Sequence, residues 1–361
     1  MDETLRQSPL NDCHLALGAR MVPFAGWNMP VMYQGILPEH AAVRTSLGVF
    51  DISHMGQITV SSSDDAAAGW LDRMLTNNVA SLGIGQGQYS FLLNNAGGVI
   101  DDLIVYRQAA SDYFLVVNAS KTAEDFAWLR DHQPAAGIGL EDISHSFAGL
   151  AVQGPQAVEA FQKLFGTDQQ IPERFCMSIV QTDLGDVIVC RTGYTGEDGF
   201  ELFCAAGDGV SWWQRCLDAG ATPCGLGARD SLRLEKCYPL NGNDLSPDRT
   251  PLEAGLGFAV DLSKPDFVGR EALLQQKETG LKQRLVAIRQ TEKCPPPRAG
   301  YAVFSGEEQV GVLTSGGISS QLGSGISLAY VKAGSHRIGT VLDIEIRGRR
   351  FPGQVVKKPF V

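Results

Sequence analysis

The sequence predicts an α+β fold that is rich in strands. Short alternating apolar runs, which indicate strands, are mixed with amphipathic stretches that indicate helices, and they do not follow the steady strand–helix alternation of a doubly wound sheet. The chain has 361 residues, more than one domain usually holds, and 41 of them are glycine, which indicates many tight turns. We therefore expect two or three domains.

The predicted strands are mostly bounded by Gly, Asn or Asp. They are Gln57–Val60, Tyr89–Leu93, Ile100–Tyr106, Tyr113–Val117, Val187–Arg191, Gly199–Phe203, Val310–Thr314 and Val341–Ile346. Apolar residues at helical spacing predict helices at Glu39–Ser46, Ala66–Leu75, Lys121–His132, Pro155–Leu164, Val210–Ala219, Ala228–Lys236 and Gly269–Thr279. Prolines 295–297 precede a Gly- and Ser-rich, strand-like C-terminal segment, so we expect a domain boundary at about 275–285.

Composition also bears on partners and location. The formal net charge is −10 and Lys and Arg are dispersed, so nucleic acid and anionic membranes are poor partners. No apolar run approaches the roughly 18–20 residues that cross a bilayer, and the polar N-terminal segment is not typical of a secretion signal. The eight cysteines contain no C-x-x-C pair and the six histidines no H-x-x-x-H spacing. We expect a cytoplasmic protein with reduced thiols and no metal site.

Two adjacent carboxylates occur in an otherwise apolar strand. An Asn/Gly turn at 94–98 separates two apolar runs, which predicts a hairpin whose second strand contains Asp101 and Asp102. Neighbouring side chains on a strand point to opposite faces, and an aspartate that faces inward needs a partner or a function. The alternative is that both aspartates cap the turn or lie exposed.

A second candidate site is the loop RTGYTGEDGFE at 191–201, which has glycines at close spacing. Glu201 lies on the strand that follows, among apolar residues. A carboxylate there can accept two hydrogen bonds from the amidine-like edge of a pterin or guanine ring. The alternative is an exposed glutamate on an edge strand.

A third segment, CGLGARDSLRLE at 224–235, predicts a helix with Arg229 in its first turn. The helix dipole disfavours a cation at that end unless the cation reaches an anion or another segment's carboxylate. The alternative is a solvated charged face, on which Asp230 and Arg233 are neighbours at i,i+3. His54, in the segment DISHMG, is interpreted as a hydrogen-bonded structural histidine.

Taken together, these segments resemble the T-protein of the glycine cleavage system, the aminomethyltransferase family. Nine segments in order carry the resemblance nearly end to end: GARMVPFAGWNMPV, VFDISHMG, NNAGGVIDDLIVY, LAVQGP, RTGYTGEDGFE, CGLGARDSLRLE, DFVGREAL, VGVLTSGG and VVKKPF. Each segment alone is a weak motif, whereas nine in the same order are specific.

The resemblance implies three domains in a clover-like arrangement around a central channel for tetrahydrofolate. We accordingly expect a discontinuous first domain at 1–50 plus 140–245, a second at 51–139 plus 246–275, and a C-terminal β-barrel or jelly-roll-like domain at 280–361. The implied enzyme takes an aminomethyl group from the lipoylated H-protein, releases ammonia and gives 5,10-methylene-tetrahydrofolate. The P-protein and L-protein are the implied functional partners.

The resemblance also implies roles for individual residues. Asp102 matches the residue near the N5/N10 edge of the folate, where a carboxylate favours a cationic carbon and can orient or relay a proton. Asp101 has the weaker claim, as its opposite-facing structural neighbour. Glu201 matches the carboxylate that reads the pterin edge, and Arg229 the arginine beside it. The implied pocket-lining residues are Tyr89, Asn118 and Tyr194.

The chain departs from the family pattern at two places. Asn241 stands where family members usually have tyrosine, and the chain is expected to lack a C-terminal extension that reaches the folate in some relatives, a role that Lys357 and Lys358 could take. Two other functions share the folate site: a folate-dependent demethylase, and a non-enzymatic folate-binding factor for iron–sulfur cluster assembly. The match across the flanking segments argues against the first, and the missing glycine in the sequence at 236–238 against the second.

Overall fold

The computed structural model describes residues 5–361, so the first four residues of the polar N-terminal segment lie outside the described residues. The chain divides into two compact units. The first unit comprises the described part of Met1–Asp72 together with Asn78–Ser90 and Leu103–Asp230. The second comprises Arg73–Asn77, Phe91–Asp102 and Ser231–Val361.

All seven predicted helices are present, and their ends differ from the predicted ones by at most three residues. The α-helices in residues 5–361 are α1 Asn11–Ala16, α2 Ile36–Thr45, α3 Ala66–Met74, α4 Thr122–Asp131, α5 Ala157–Phe165, α6 Gly209–Asp218, α7 Leu226–Glu235 and α8 Arg270–Thr279. Helix α5 is followed by Gly166, whose φ of 93° lies in the region that favours glycine. None of these helices is long and apolar enough to span a membrane.

The strands in residues 5–361 include all eight that the sequence predicts. In chain order they are β1 Arg6–Gln7, β2 Arg20–Phe24, β3 Trp27–Met32, β4 Gly48–Asp51, β5 Gly56–Ser62, β6 Gly87–Leu93, β7 Val99–Arg107, β8 Asp112–Val117, β9 Ile138–Asp142, β10 Phe147–Gln153, β11 Met177–Thr182, β12 Gly185–Cys190, β13 Gly199–Ala205, β14 Thr222–Pro223, β15 Gln283–Gln290, β16 Ala302–Ser305, β17 Glu308–Ile318, β18 Gly325–Lys332, β19 Val341–Ile346 and β20 Arg349–Val356.

The first unit is built around a six-stranded sheet with the order β11-β12-β13-β10-β4-β14. Helices α5 and α6 supply Phe161 and Trp212 to a core that also contains Leu150 of β10 and Phe200 of β13, all fully buried. Burying large apolar and aromatic side chains is the dominant favourable term in folding. The core therefore fixes β13 and β10 as interior strands.

A second sheet has the order β6-β7-β8-β5-β9. Its first two strands form the predicted hairpin, and the turn is closed by the Asn94 N–H donating to the Gly98 carbonyl at 2.9 Å. Strands β6 and β7 run across the boundary between the units, so that Phe91–Leu93 and Val99–Asp102 belong to the second unit. A small sheet with the order β1-β3-β2 lies in the first unit.

The second unit ends in a closed barrel with the order β15-β18-β17-β16-β19-β20, in which β20 pairs back onto β15. Its interior is apolar and includes Ile288, Leu313, Ala329 and Ile344, each at most 1% exposed. Closure leaves no free sheet edge. The predicted α+β class with a β-rich C-terminal domain is confirmed.

Candidate functional site

Glu201 lies in the interior of the six-stranded sheet. On β13 it is opposite Cys190 of β12 on one side and Ala151 of β10 on the other. Its side chain is buried, with 8% of the residue exposed. The alternative of an exposed glutamate on an edge strand is therefore wrong, because β13 has neighbours on both sides. A carboxylate in this position needs compensating partners.

The two oxygens of Glu201 differ in their contacts. The hydroxyl of Thr192 donates to Oε2 at 2.7 Å, whereas no residue between 5 and 361 hydrogen-bonds to Oε1. Burial raises the pKa of the Glu201 carboxyl, and the Thr192 hydroxyl and the Arg229 guanidinium oppose that rise. One oxygen thus remains available to a ligand.

Arg229 and Tyr194 lie together beside this carboxylate. The guanidinium carbon of Arg229 lies 4.6 Å from the centroid of the Tyr194 ring, which is the geometry of a cation–π contact. Burial lowers the pKa of Arg229, and the nearby Glu201 and Tyr194 oppose this. The structure therefore brings together three of the predicted site residues, Tyr194, Glu201 and Arg229.

The position of Arg229 follows from the way α7 begins. The fully buried Glu39 accepts the Gly225 N–H at 2.9 Å, and the Gly225 carbonyl in turn accepts the Arg229 N–H at 3.1 Å. A Cβ at position 225 would lie 2.4 Å from the Val31 carbonyl carbon, so only glycine allows this close approach. The first turn of α7 is thus held at a fixed point.

The loop at 191–198 is held by a side chain of β10. Gln153 Nε2 donates to the Thr192 carbonyl at 3.1 Å, and Gln153 Oε1 accepts from the Thr195 hydroxyl at 2.8 Å. A Cβ at Gly193 would lie 1.9 Å from Gln153 Oε1, so the loop approaches Gln153 closely because position 193 is glycine. This clamp fixes the backbone from which Thr192 reaches Glu201.

His54 is a further buried group near Arg229. Its ring packs edge-on against Phe24 with centroids 5.6 Å apart, and within residues 5–361 its Nδ1 has no hydrogen-bond partner. Burial lowers the pKa of His54 to about 4; Asp51 opposes this shift and Arg229 adds to it. The imidazole is therefore neutral at physiological pH. Its role as a hydrogen-bonded structural histidine stays a prediction.

Tyr89 and Asn118 lie in the first unit, the former on a strand of the second sheet and the latter directly after one. Tyr89 is on β6 and is partly buried. Asn118 directly follows β8, and its carbonyl accepts the Lys121 N–H at 2.9 Å, which starts the turn into α4. Their place in a ligand pocket stays a prediction.

Asp102 belongs to the second unit. It is partly exposed on β7, whereas its neighbour Asp101 is fully buried, so the two differ as alternation on a strand requires. The alternative that both are exposed is wrong. The amide nitrogen of Asn241 lies 3.4 Å from both Asp102 Oδ1 and the Ile100 carbonyl, which orients that amide towards the two acceptors. The departure from the family pattern therefore contacts the candidate catalytic residue.

Within the described part of the chain, no group of three or more His, Cys, Asp or Glu side chains is arranged to hold a metal ion. The groups around Glu201 suit an organic ligand instead. A carboxylate acceptor, a cation and a flat aromatic ring fit a planar molecule with adjacent N–H donors, such as a pterin.

Two family models match the chain. The GCVT N-terminal domain matches residues 10–264, and the Glycine cleavage T-protein C-terminal barrel domain matches residues 283–361. The chain belongs to the T-protein family of aminomethyltransferases. It is therefore an enzyme of this family, as the sequence resemblance predicts.

Individual relatives support this assignment over almost the whole length. An aminomethyltransferase of Geobacillus thermodenitrificans is 45% identical over 362 residues, covering 99% of this chain and 98% of its own. One of Picosynechococcus sp. is 44% identical over 359 residues, with the same coverage. The crystal structure of glycine cleavage system aminomethyltransferase T from Bartonella henselae is 36% identical, with a TM-score of 0.93, and covers 99% of this chain and 98% of its own.

The sequence interpretation missed or misjudged three residues of this T-protein family member. Thr192 and Tyr106 were not singled out, although both occur in segments that carry the resemblance. Arg233 is not on a solvated face: it is 2% exposed and pairs with Asp244 at 2.9 Å. The signal that could have identified Arg233 is the apolar residue on each side of it, Leu232 and Leu234.

Proposed function

We propose that this chain is the aminomethyltransferase that transfers the one-carbon unit of aminomethyl-lipoyl H-protein to tetrahydrofolate. The products are 5,10-methylene-tetrahydrofolate, ammonia and dihydrolipoyl H-protein. Membership of the family and the name shared by its relatives support the reaction class. The proposal includes the P-protein and L-protein as functional partners and the cytoplasm as the location.

The observation that carries the proposal is the buried Glu201 carboxylate, with one oxygen available and Arg229 beside it. A buried acceptor of this kind discriminates strongly, because a ligand without matching N–H donors leaves the acceptor unsatisfied. We assign the pterin edge of tetrahydrofolate to Glu201 and the adjoining surface to Arg229 and Tyr194. Tyr89 and Asn118 complete the proposed binding residues.

Asp102 is the proposed catalytic residue. When bound, tetrahydrofolate supplies the N5 and N10 nitrogens that accept the carbon. A fixed carboxylate stabilises positive charge that develops on the transferred carbon and can hold or pass on a proton. The Asn241 amide near Asp102 Oδ1 supports a fixed orientation of this carboxylate.

A coupled assay tests the reaction. The purified chain is mixed with lipoylated H-protein, P-protein, glycine and tetrahydrofolate, and methylene-tetrahydrofolate is measured. Product that depends on every component supports the proposal. Product from a methylated amine or sulfonium compound without H-protein would instead identify a folate-dependent demethylase, and folate binding with neither activity would favour the iron–sulfur assembly factor.

The substitution Glu201→Gln tests the binding assignment. The amide nitrogen places donors against the donors of the ligand, so we expect the Kd for tetrahydrofolate to rise by about 10-fold or more. Glu197→Gln is the matched control, since Glu197 lies in the loop directly before β13 and pairs with Arg44 at 2.9 Å. Equal affinity of the Glu201 variant and the wild type, measured by calorimetric titration, would refute the assignment.

The substitution Asp102→Asn tests the catalytic assignment. We expect kcat to fall by on the order of 10-fold or more while the Kd for folate changes little, because the lost charge acts on the transition state. Asp112→Asn, at the exposed start of β8, is the control and should retain full turnover. Unchanged turnover of the Asp102 variant would remove it from the mechanism.

We also propose the three-domain organisation at 1–50 plus 140–245, 51–139 plus 246–275, and 280–361. The six-stranded sheet draws its strands from 48–51 and 147–223, and the second sheet from 56–142, which supports the discontinuous first domain. The barrel begins at Gln283, which supports the last boundary. Limited proteolysis of the whole chain should cut first between 275 and 283; a first cut inside the barrel would contradict this boundary.

A further inference from the structure

A chain of buried hydrogen bonds leads to Glu201. Thr192 Oγ1 lies 2.7 Å from Glu201 Oε2 and 2.9 Å from the hydroxyl oxygen of Tyr106. Tyr106 is fully buried and Thr192 nearly so. Cys190 lies directly opposite Glu201 in the sheet. Two hydroxyl groups, those of Tyr106 and Thr192, therefore lead to one oxygen of the proposed ligand-binding carboxylate.

The number of available hydroxyl protons determines which group donates in each of these hydrogen bonds. An ionised carboxylate can only accept, so the single hydroxyl proton of Thr192 points to Glu201. Thr192 has no second proton, and Tyr106 must therefore donate to the Thr192 oxygen. Hydrogen bonds aligned in one direction polarise one another, so that the Tyr106 hydroxyl strengthens the bond that Thr192 makes to Glu201.

The members of the chain are also held by packing that does not involve Glu201. Gln153 donates to the Thr192 carbonyl, as described above, so the backbone of Thr192 is fixed independently of its hydroxyl. The ring of Tyr106 packs against Gly87, where a Cβ would lie 2.3 Å from a ring carbon. Removing either hydroxyl should therefore leave the backbone and the rings in place.

We propose that Thr192 and Tyr106 are positioning residues that hold Oε2 of Glu201 and keep this carboxylate an acceptor for a ligand with adjacent N–H donors. The inference rests on the proposed folate site and adds the residues that prepare its acceptor. Neither hydroxyl needs to contact the ligand. Both act through the carboxylate of Glu201.

The charged and titratable groups near Glu201 determine the expected pH effect. They are Arg229, Cys190 and Tyr106. Burial raises the pKa values of Cys190 and Tyr106 well above their usual range, so both are neutral at physiological pH. Burial also raises the pKa of Glu201, while Thr192 lowers it. Without the Thr192 hydroxyl this pKa rises further, and Glu201 becomes protonated, and a poorer acceptor, at higher pH.

Four variants test the proposal: Thr192→Val, Thr192→Ser, Tyr106→Phe and Thr195→Val. The Kd for tetrahydrofolate is measured by calorimetry between about pH 5 and pH 8, and kcat and KM in the coupled assay. We expect Thr192→Val to weaken binding about 10-fold, the scale of a hydrogen bond to a charged group, and to move the acidic loss of binding to higher pH. Thr192→Ser keeps the hydroxyl and should restore both the affinity and the pH at which binding is lost. Tyr106→Phe should move that pH in the same direction as Thr192→Val, but by less.

Thr195→Val separates positioning from general loosening of the loop. It removes a buried hydroxyl that bonds to Gln153 instead of Glu201, while Gln153 Nε2 still donates to the Thr192 carbonyl. The pH profile of folate binding should therefore stay that of the wild type. An unshifted profile for Thr192→Val, or an equal shift for Thr195→Val, would overturn the proposal. If Glu201→Gln binds folate as tightly as the wild type, the proposed folate site fails instead, and the two outcomes are distinct.

Discussion

Removing the guanidinium of Arg233 should destabilise the second unit far more than removing that of Arg350. Arg233 pairs with Asp244 at 2.9 Å, and the two side chains are 3% and 0% exposed. Arg350 approaches Glu307 at 3.4 Å, with exposures of 31% and 96%. Breaking a buried pair strands a charge and costs about 3–5 kcal/mol, whereas an exposed pair contributes about 0–1 kcal/mol.

The cost of Arg233→Met should lie towards the lower end of that range, about 3 kcal/mol, because other donors remain. Asp244 still accepts the Leu240 N–H at 2.9 Å and the Ser315 hydroxyl at 2.8 Å. For a unit of this size, such a loss lowers the Tm by on the order of 10 °C. The control Arg350→Met should change the Tm by no more than about 4 °C.

Calorimetry and tryptophan fluorescence together form the assay. All five tryptophans lie in the first unit, so fluorescence follows that unit while calorimetry follows both. The Arg233 variant should lower the calorimetric transition of the second unit. A decrease in Tm no larger than that of the Arg350 variant would refute the argument that the burial of an ion pair, and not the number of ion pairs, determines the contribution to stability.

Two further predictions concern packing and pH. Gly98→Ala should destabilise the chain by about 1–3 kcal/mol in a urea titration, since the added Cβ would lie 1.7 Å from the Pro247 carbonyl oxygen. The control Gly207→Ala has nothing within 4 Å of its added Cβ and should be neutral or slightly stabilising. Asp51→Asn should remove part of the acid sensitivity of stability. Burial acts to raise the pKa of Asp51, but hydrogen bonds from His14 and two serines outweigh burial and lower that pKa. The stabilisation by Asp51 is therefore present at neutral pH and is lost as the pH falls below about 4. Urea midpoints measured from about pH 3 to pH 7 check this, and a pH dependence of the midpoint that is the same in the variant and the wild type would contradict it.

Sequence periodicity is clearest in elements that have one exposed face. Helix α6 is an example: Trp212, Trp213 and Cys216 are buried while the intervening residues reach solvent, so the helical period is visible. Strand β18 is not predicted, and seven of its eight residues are buried. Strand β13 is buried to the same degree but is predicted, because a glycine-rich loop precedes its apolar run. A strand covered on both faces shows no alternation, and its sequence reads as a continuous apolar run.

The sequence also does not predict short elements that are held by contacts with distant residues. Helix α1 has six residues and no side-chain cap at its N-terminus. It is held by His14, whose Nε2 lies 2.8 Å from Asp51 on β4. Isolated helices of this length are unstable in water, so tertiary contacts and not local propensity decide that α1 forms.

The same limit applies to the candidate site. The carboxylate of Glu201 was predicted as an acceptor, but its donor Thr192 could not be paired with Tyr106 from sequence, since 86 positions separate them. Likewise the sequence did not identify Asp244 as a partner of Arg233. Strand register and loop conformation determine which side chains meet, and the local spacing of residues along the sequence encodes neither.

The two proposed functional residues belong to different units, which makes their tests separable. Glu201 belongs to the first unit and Asp102 to the second. A Glu201 variant that loses folate binding through misfolding would change the tryptophan fluorescence of its own unit, whereas one that loses only the acceptor would not. A misfolded Asp102 variant would alter the calorimetric transition of the second unit. A Glu201 variant that loses folate binding with unchanged fluorescence has therefore lost the acceptor and not the fold. An Asp102 variant that loses turnover with an unchanged transition has likewise lost the catalytic group and not stability.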